Sequence, residues 1–298
     1  MAKRIAVVGG VNMDIGGSPA GKLIMLDSNP GHVSLRPGGV GRNIAHDLCL
    51  LGLEVGLVAA LGGDLYGKAL LASCKALGMD MELSLVLPEA RSSVYLYVTD
   101  ETGDMRLGIS DMDIVAALTP ARLAPRMDPI NRADALVLDA NLSEETILYL
   151  AENSRVPLYV DPVSTAKAVK LQGVLDKLEV IKPNALEAEK LTGEKDPERA
   201  AKALLAAGVK RVFISLGAEG ILAAEGETIL RVPCEKTRVV NTNGAGDAAT
   251  AALVWAGVHG LSLKQCARAA VLAGAAVAGS AQTNPSSIRA AFAAQNEE

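Results

Sequence analysis

Short apolar runs alternate with stretches of helical pattern along most of this chain, and that alternation restricts its fold more than any other feature. The runs are Ile5–Val8, Val55–Ala60, Ala135–Leu138, Leu158–Val160, Val180–Ile181 and Val212–Ser215. Helical stretches between them include Val40–Leu51, Tyr66–Leu77, Glu144–Asn153, Ala185–Leu191 and Pro197–Ala207. Apolar strands followed by helices are the signature of βαβ units around a parallel sheet. The helix boundaries agree. Thr119-Pro120 supplies an N-cap and a proline at the first helical position, and Gly52, Gly78 and Gly208 sit where helices should stop. The expected fold is α/β, a central and mostly parallel sheet flanked by helices, in a single domain over residues 1–298.

Composition narrows the function classes. Half of the 298 residues are hydrophobic but only 3% are aromatic, with two Phe and one Trp, so the core must be built from Ala, Val, Leu and Ile. A net charge of −5 with both signs interspersed lacks the basic stripe of a nucleic-acid binder. Cys49, Cys74, Cys234 and Cys266 show no paired spacing, which argues against a disulfide framework and a cysteine zinc site. His32, His46 and His259 are isolated. Residues 1–8 run into glycines too soon for a signal peptide, and Ala267–Ala281 reads as a tightly packed helix and not a membrane span. The expectation is a cytoplasmic protein in a reducing compartment, with no nucleic-acid or membrane partner.

Two regions break the alternation. Residues 14–36 are rich in Gly, Pro, Asn and Ser, and residues 92–110 read as a hairpin turning at Asp100–Asp104. From the residues alone these are either a small antiparallel flap over one end of the sheet, or a decorated loop and an edge hairpin.

The strongest chemical signal is Asn241-Thr242-Asn243-Gly244-Ala245-Gly246-Asp247, opening a helix of small residues. Glycines let the backbone approach a ligand closely, and the helix start aims free N–H groups and a positive dipole end at it. Such a nest suits an anionic phosphoryl group. A carboxylate there repels phosphate, so Asp247 serves an incoming hydroxyl as general base or orienting acceptor, or is simply an acid in a first helical turn. Pro37-Gly38-Gly39-Val40-Gly41-Arg42-Asn43 opens a second helix, with Asn43 offering donor and acceptor. Gly9-Gly10-Val11-Asn12-Met13-Asp14 follows the first strand, at the end of an open sheet where ligands bind. Neither G-x-G-x-x-G after that strand nor a G-x-x-x-x-G-K-[ST] loop is present.

Together these residues resemble the ribokinase-like (phosphofructokinase-B) carbohydrate kinases. Gly38-Gly39-Val40-Gly41-Arg42-Asn43 and Gly244-Ala245-Gly246-Asp247 match that family's two signatures in order and spacing, over essentially the whole chain. Within the family the chain is similar to the pseudouridine kinase branch. The similarity lies in Asp27-Ser28-Asn29-Pro30-Gly31, Leu107–Ile114, Asp161-Pro162-Val163-Ser164 and the final motif opening on Asn241.

The resemblance implies a ribokinase-like fold with a small β lid from residues 14–36 and 92–110, closing over the sugar. It implies ATP and Mg2+ as cofactors and pseudouridine or a related nucleoside or sugar as substrate. Asp247 takes the proton of the ribose 5′-hydroxyl, and Gly244, Ala245 and Gly246 form the anion hole. Asn12 and Asp14 hold ribose hydroxyls, Gly39 and Asn43 read the same sugar, and Ser28 and Asn29 lie beside the base. Tyr95 packs on the base or is an ordinary strand residue, and Lys167 approaches the substrate or is a surface lysine. Asn184 and Glu187 order the water shell of Mg2+, and equally form a helix N-cap with its capping-box partner. Ser215, Gly217 and Gly220 line the nucleotide turn. Asn241 stands where many relatives carry an Asp that helps hold potassium, so a monovalent-cation site stays open, with carbonyls near Ala281 and Ser286 as remaining donors. Ala249 replaces a frequent Phe. Lid strands with exposed edges imply a lid-mediated homodimer. Three functions follow: a pseudouridine kinase, a kinase of another nucleoside or sugar such as ribose, adenosine or a hexose derivative, and a catalytically idle binding relative.

Overall fold

Strands buried on both faces need apolar residues at consecutive positions, and the runs above supply the central sheet. The computed structural model describes residues 2–234, 239–240 and 242–289. β1 (Arg4–Val8), β2 (Asn12–Pro19) and β3 (Gly31–Gly38) lead into α1 (Val40–Leu50). β4 (Glu54–Val58), β5 (Ala60–Gly62), α2 (Leu65–Ala76) and β6 (Leu85–Leu87) follow, then the hairpin β7 (Val94–Thr99) and β8 (Met105–Asp111). The second half continues with β9 (Ala135–Asp139), α3 (Glu144–Asn153), β10 (Leu158–Asp161), β11 (Val180–Ile181), α4 (Ala185–Thr192) and α5 (Pro197–Ala206). It ends with β12 (Arg211–Ser215), β13 (Ile221–Glu225), β14 (Thr228–Val232), α6 (Ala245–Val258) and α7 (Leu263–Ala278).

Eight strands form the central sheet in the order β14-β13-β12-β11-β10-β9-β1-β4. Neighbours from β12 to β4 run parallel, and β13 is antiparallel to both of its neighbours. Alternation sends Ile5, Val7, Val137 and Phe213 to a layer with α1, α6 and α7. It sends Ala6, Val8, Leu138 and Ile214 to the opposite layer with α3, α4 and α5. Small residues in α6 let large ones come close: a Cβ on Gly257 would collide with the Tyr159 hydroxyl. That close approach is how a core poor in aromatic residues is filled.

One strand reading is corrected. Val55–Ala60 is not a single strand, because the ladder changes partner at Ala59. Ser84 Oγ accepts from the Ala59 N–H (3.0 Å) and donates to the Leu57 carbonyl (2.7 Å), and Leu85 N–H donates to the Ala59 carbonyl (2.7 Å). β5 therefore leaves the central sheet and pairs with β6.

The segments that break the alternation form a separate four-stranded sheet, β3-β2-β7-β8. Its hairpin turns at residues 100–104, where the Asp100 carboxylate accepts from the N–H groups of Thr102 (2.9 Å) and Asp104 (3.1 Å). One face carries Asn12, Asp14, Ser34, Arg36, Tyr95 and Tyr97; the other carries Val33, Leu35, Leu96, Val98, Leu107 and Ile109. Because β2 starts at Asn12 opposite Gly38, this sheet is rooted beside the start of α1. Among the described residues no disulfide is present, and no helix is long and apolar enough to cross a membrane.

Candidate active site

The carboxyl ends of the central strands, the start of α1 and the start of α6 converge on Asp247. Gly244 caps α6 in the left-handed conformation (φ 86°), a shape that favours glycine, and no side chain caps this helix. The Ala245 N–H donates to the Thr242 carbonyl (3.3 Å), and with no side-chain cap the N–H groups of Gly246 and Asp247 are left for a ligand. Asp247 lies in that first turn, and Asn43 from α1 donates its Nδ2–H to Asp247 Oδ2 (2.9 Å). Burial pushes the Asp247 carboxyl up to about 7, with the charge of Asp161 adding to the rise and Asn43 and Lys182 opposing it. A carboxyl so raised, beside uncapped N–H groups, is suited to exchanging a proton near neutral pH.

Behind Asp247 lies a buried charged network. Lys182 Nζ is 3.4 Å from Asp161 Oδ2, and Thr250 Oγ1 donates to the same oxygen (2.7 Å). Asp161 Oδ1 accepts from the Val163 N–H (2.9 Å), and Val163 adopts φ 67°. That conformation is strained for a β-branched residue and accompanies a functional site. Burial pulls the Lys182 ammonium down, but Asp161, Glu187 and Asp247 outweigh it and hold the group above its ordinary range. A Cβ on Gly246 would stand 3.4 Å from Lys182 Nζ, so this cation lies against the turn of small residues.

A cavity of about 650 Å³ opens on one side of Asp247. Asp161, Lys182, Glu187 and Asp247 give it charged lining, while Val239, Ala270, Val271, Gly274 and Ala275 give it apolar lining. Ala249 also lines it, at the position where the resemblance leads one to expect Phe. Asn184, Ser215, Gly217 and Gly220 are all at its wall. Asn184 and Glu187 form a reciprocal capping box on α4: Glu187 N–H donates to Asn184 Oδ1 (2.8 Å) and Asn184 N–H to Glu187 Oε2 (2.9 Å). Burial raises the Glu187 carboxyl, which faces the cavity from this cap.

On the other side, Asn12 donates its Nδ2–H to Asp14 Oδ1, and burial raises Asp14 against that bond and against Arg42 and Arg36. Gly39, the N-cap of α1, has φ 103°, and a Cβ there would strike the Gly10 carbonyl. Gly9 and Gly41 likewise leave room for the Asp139 carboxylate, which accepts from the Gly10 N–H (2.7 Å). Lys167 bonds Asn141 Oδ1, next to Gly10. Tyr95 lies on the Asp14 face of its sheet with its ring 5.9 Å from that of Tyr97. Ser28 is exposed on the 20–30 connection, and Asn29 closes that loop, bonding Ile24 through N–H and carbonyl (both 2.8 Å).

Asn43, Asn184, Glu187, Ser215, Gly217 and Gly220 thus gather around Asp247, Asn12, Asp14 and Gly39 adjoin the start of α1, and Ser28 and Asn29 stand out on the connection between β2 and β3. Asn241 lies outside the described residues. Sequence reasoning missed Asp161, Lys182 and Thr250 as a network, and it missed that Asn43 bonds Asp247. Asp161-Pro162-Val163-Ser164 and Lys182-Pro183-Asn184 were the signals that contained Asp161 and Lys182, and no motif marked Thr250.

Comparison with known proteins identifies the family and the fold. The profile of the pfkB family carbohydrate kinases matches residues 2–290. A pseudouridine kinase of Escherichia coli (strain K12) is 39% identical over 272 residues, covering 89% of this chain and 87% of that protein. A carbohydrate kinase from Agrobacterium tumefaciens is 30% identical and superposes with a TM-score of 0.87 over 98% of this chain and 96% of that one. A ribokinase of Arabidopsis thaliana, complexed with ribose and ATP, shares the fold with a TM-score of 0.82 at 23% identity, over 96% of each chain.

Proposed function

Because the chain belongs to the pfkB family of carbohydrate kinases, we propose that it transfers the γ-phosphoryl group of ATP to the 5′-hydroxyl of pseudouridine. The observation that carries this reading is Asp247, a half-buried carboxyl held by Asn43 at a helix start without a side-chain cap, lining a 650 Å³ cavity. ATP occupies the cavity, with its base against the apolar surface of α7 and its phosphates toward Gly244, Ala245 and Gly246. Ser215, Gly217 and Gly220 face its ribose and phosphates. The nucleoside lies on the other side, its ribose held by Asn12, Asp14, Gly39 and Asn43. Tyr95, Lys167, Ser28 and Asn29 face the base.

Asp247 removes the 5′-hydroxyl proton as that oxygen bonds to the γ-phosphorus. The bond from phosphorus to the β-phosphate oxygen breaks, ADP leaves, and the proton remains on Asp247 until solvent takes it. The helix start and Lys182 stabilise the charge that spreads over the γ-phosphoryl oxygens. Hard carboxylate oxygens at the cavity fit Mg2+, yet the described residues contain no cluster of three metal-binding side chains. Glu187 and Asn184 would hold the water of such an ion, which gives up its water reluctantly. Bound Mg2+ neutralises phosphate charge.

The apolar face of the second sheet leaves Val33, Leu35, Leu107 and Ile109 more than half exposed. On this reading the same face of a second copy covers it, making a dimer through the lids, in the cytoplasm.

The test is ADP release with Mg-ATP in the presence of pseudouridine, uridine, adenosine or ribose. Turnover with pseudouridine far above uridine is the expected result, since a buried polar group that meets the extra ring N–H rejects the analogue lacking it. Turnover on ribose or adenosine instead keeps the chemistry and overturns the substrate. Silence with all four favours an idle binding relative.

A further inference from the structure

We infer that Asn284, on the loop after α7, is a positioning residue for the base and acts through Asn43. The inference rests on the reading of Asp247 as that base. Asn284 Nδ2 donates to the Asn43 carbonyl (3.2 Å) and to Asp47 Oδ1 (2.8 Å), bridging 241 and 237 residues of sequence. Both acceptors lie on α1, four residues apart and one helical turn from each other. Asp47 is fully buried, and its second oxygen has no partner among the described residues. The amide of Asn284 is therefore what ties this carboxyl to the loop.

The neighbouring residue serves the other half of the machinery. Thr283 packs against Gly244, where a Cβ would run into its side chain and carbonyl. One short loop thus braces the turn that opens α6 and, one residue later, the part of α1 that carries Asn43. Asn43 in turn bonds Asp247 Oδ2. α1 and α6 share one core layer, so the Asn284 contact sets only the fine placement of α1, and a shift of a few tenths of an ångström on its loss lengthens the Asn43–Asp247 bond. Proximity effects make turnover sensitive to such displacement while leaving ligand binding largely intact.

The experiment uses the full chain and four variants. Asn284→Ala is expected to lower kcat about tenfold or more while KM for ATP stays within about threefold and KM for the nucleoside, whose ribose Asn43 also holds, rises less than kcat falls. In an Asn43→Ala background the same change is expected to cost less than about twofold, because the bond it protects is already gone. The exchange Asp47→Asn with Asn284→Asp keeps an amide–carboxylate pair between loop and helix, but the carboxylate placed at 284 has no proton for the Asn43 carbonyl. It is expected to restore Tm and not kcat. A kcat for Asn284→Ala within about twofold of the parent, multiplying losses, or a kcat restored by the exchange each overturns the inference.

A readout without turnover separates this inference from the kinase reading. Asp161, Asp139, Lys182 and Asp47 all face the Asp247 carboxyl and remain in Asn284→Ala. The titration of Asp247, followed by carbon NMR, is expected to move upward as the Asn43 bond weakens, and to stay put when the change is added to Asn43→Ala. Absence of turnover in the parent protein overturns the kinase reading. An unmoved titration overturns the role of Asn284.

Discussion

The two sides of Asp247 are built differently. On the proposed function, the nucleotide side is a cavity walled by α6, α7 and the carboxyl ends of the central strands, elements that also pack into the core. The nucleoside side is walled by a four-stranded sheet whose outer residues are exposed and whose long connection, residues 20–30, leaves Ile24, Met25 and Leu26 in solvent. Core elements open only with large parts of the fold, while a sheet with few buried contacts moves cheaply. On the proposed function, the difference teaches that the phosphoryl donor would meet a preformed site and the acceptor one completed by closure, which would exclude water from the transfer.

Asp247 belongs to both sides, so its removal tests the division most severely. Asp247→Asn keeps an oxygen to accept from Asn43 and loses the ability to take a proton. The expected loss of kcat is about a thousandfold, with ATP and nucleoside each still bound within severalfold, as calorimetry reads it. Turnover near that of the parent means the hydroxyl loses its proton elsewhere, and the role given to Asp247 fails.

A crossed pair of substitutions sharpens the comparison at smaller cost. Ala275→Leu fills part of the cavity and is expected to raise KM for ATP about tenfold or more, with nucleoside binding unchanged. Leu107→Lys places a charge on the outer apolar face, where Leu107 is 53% exposed in the single chain. It is expected to yield monomers in sedimentation and to raise KM for the nucleoside severalfold without touching KM for ATP. Equal effects of either substitution on both ligands break the division between the sides.

How legible this was in the sequence depends on how each residue earns its place. The central sheet was readable because Ile5–Val8 or Ala135–Leu138 must be apolar at every position to be buried on both faces. Gly244 and Gly39 were readable as turn residues, and both do take positive φ. The capping box of Asn184 and Glu187 was readable because it lies within four residues. The bond from Asn43 to Asp247 spans 204 residues, and that from Thr250 to Asp161 spans 89, so no local pattern marks them. Gly9 and Gly10 looked like a ligand loop, yet their missing side chains also make room for Asp139 and Asn141. The break at Ala59 was hidden because the apolar run continues through it, and only Ser84, from a later segment, ends the ladder.

The smallest effect concerns stability, and its sign is opposite to that on activity. The Asp247 carboxyl is raised from an ordinary 3.8 to about 7 in the folded protein. Below the ordinary value both folded and unfolded chains hold the proton, and the group contributes nothing to the pH dependence. Between the two values only the folded chain holds it, so stability falls as pH rises, and above about 7 the full penalty of the ionised form is present. Asp247→Asn removes that titration. The variant is therefore expected to be more stable than the parent by at least about 1 kcal/mol near pH 8, with the gain vanishing near pH 4. Urea midpoints at the two pH values measure it. An equal gain at both, or a loss near pH 8, means that the carboxyl is well accommodated as an anion. In that case closure of the outer sheet, and not the fold around α6, must supply the environment that raises it. The preformed side of the site would then hold less of the catalytic machinery than its geometry implies.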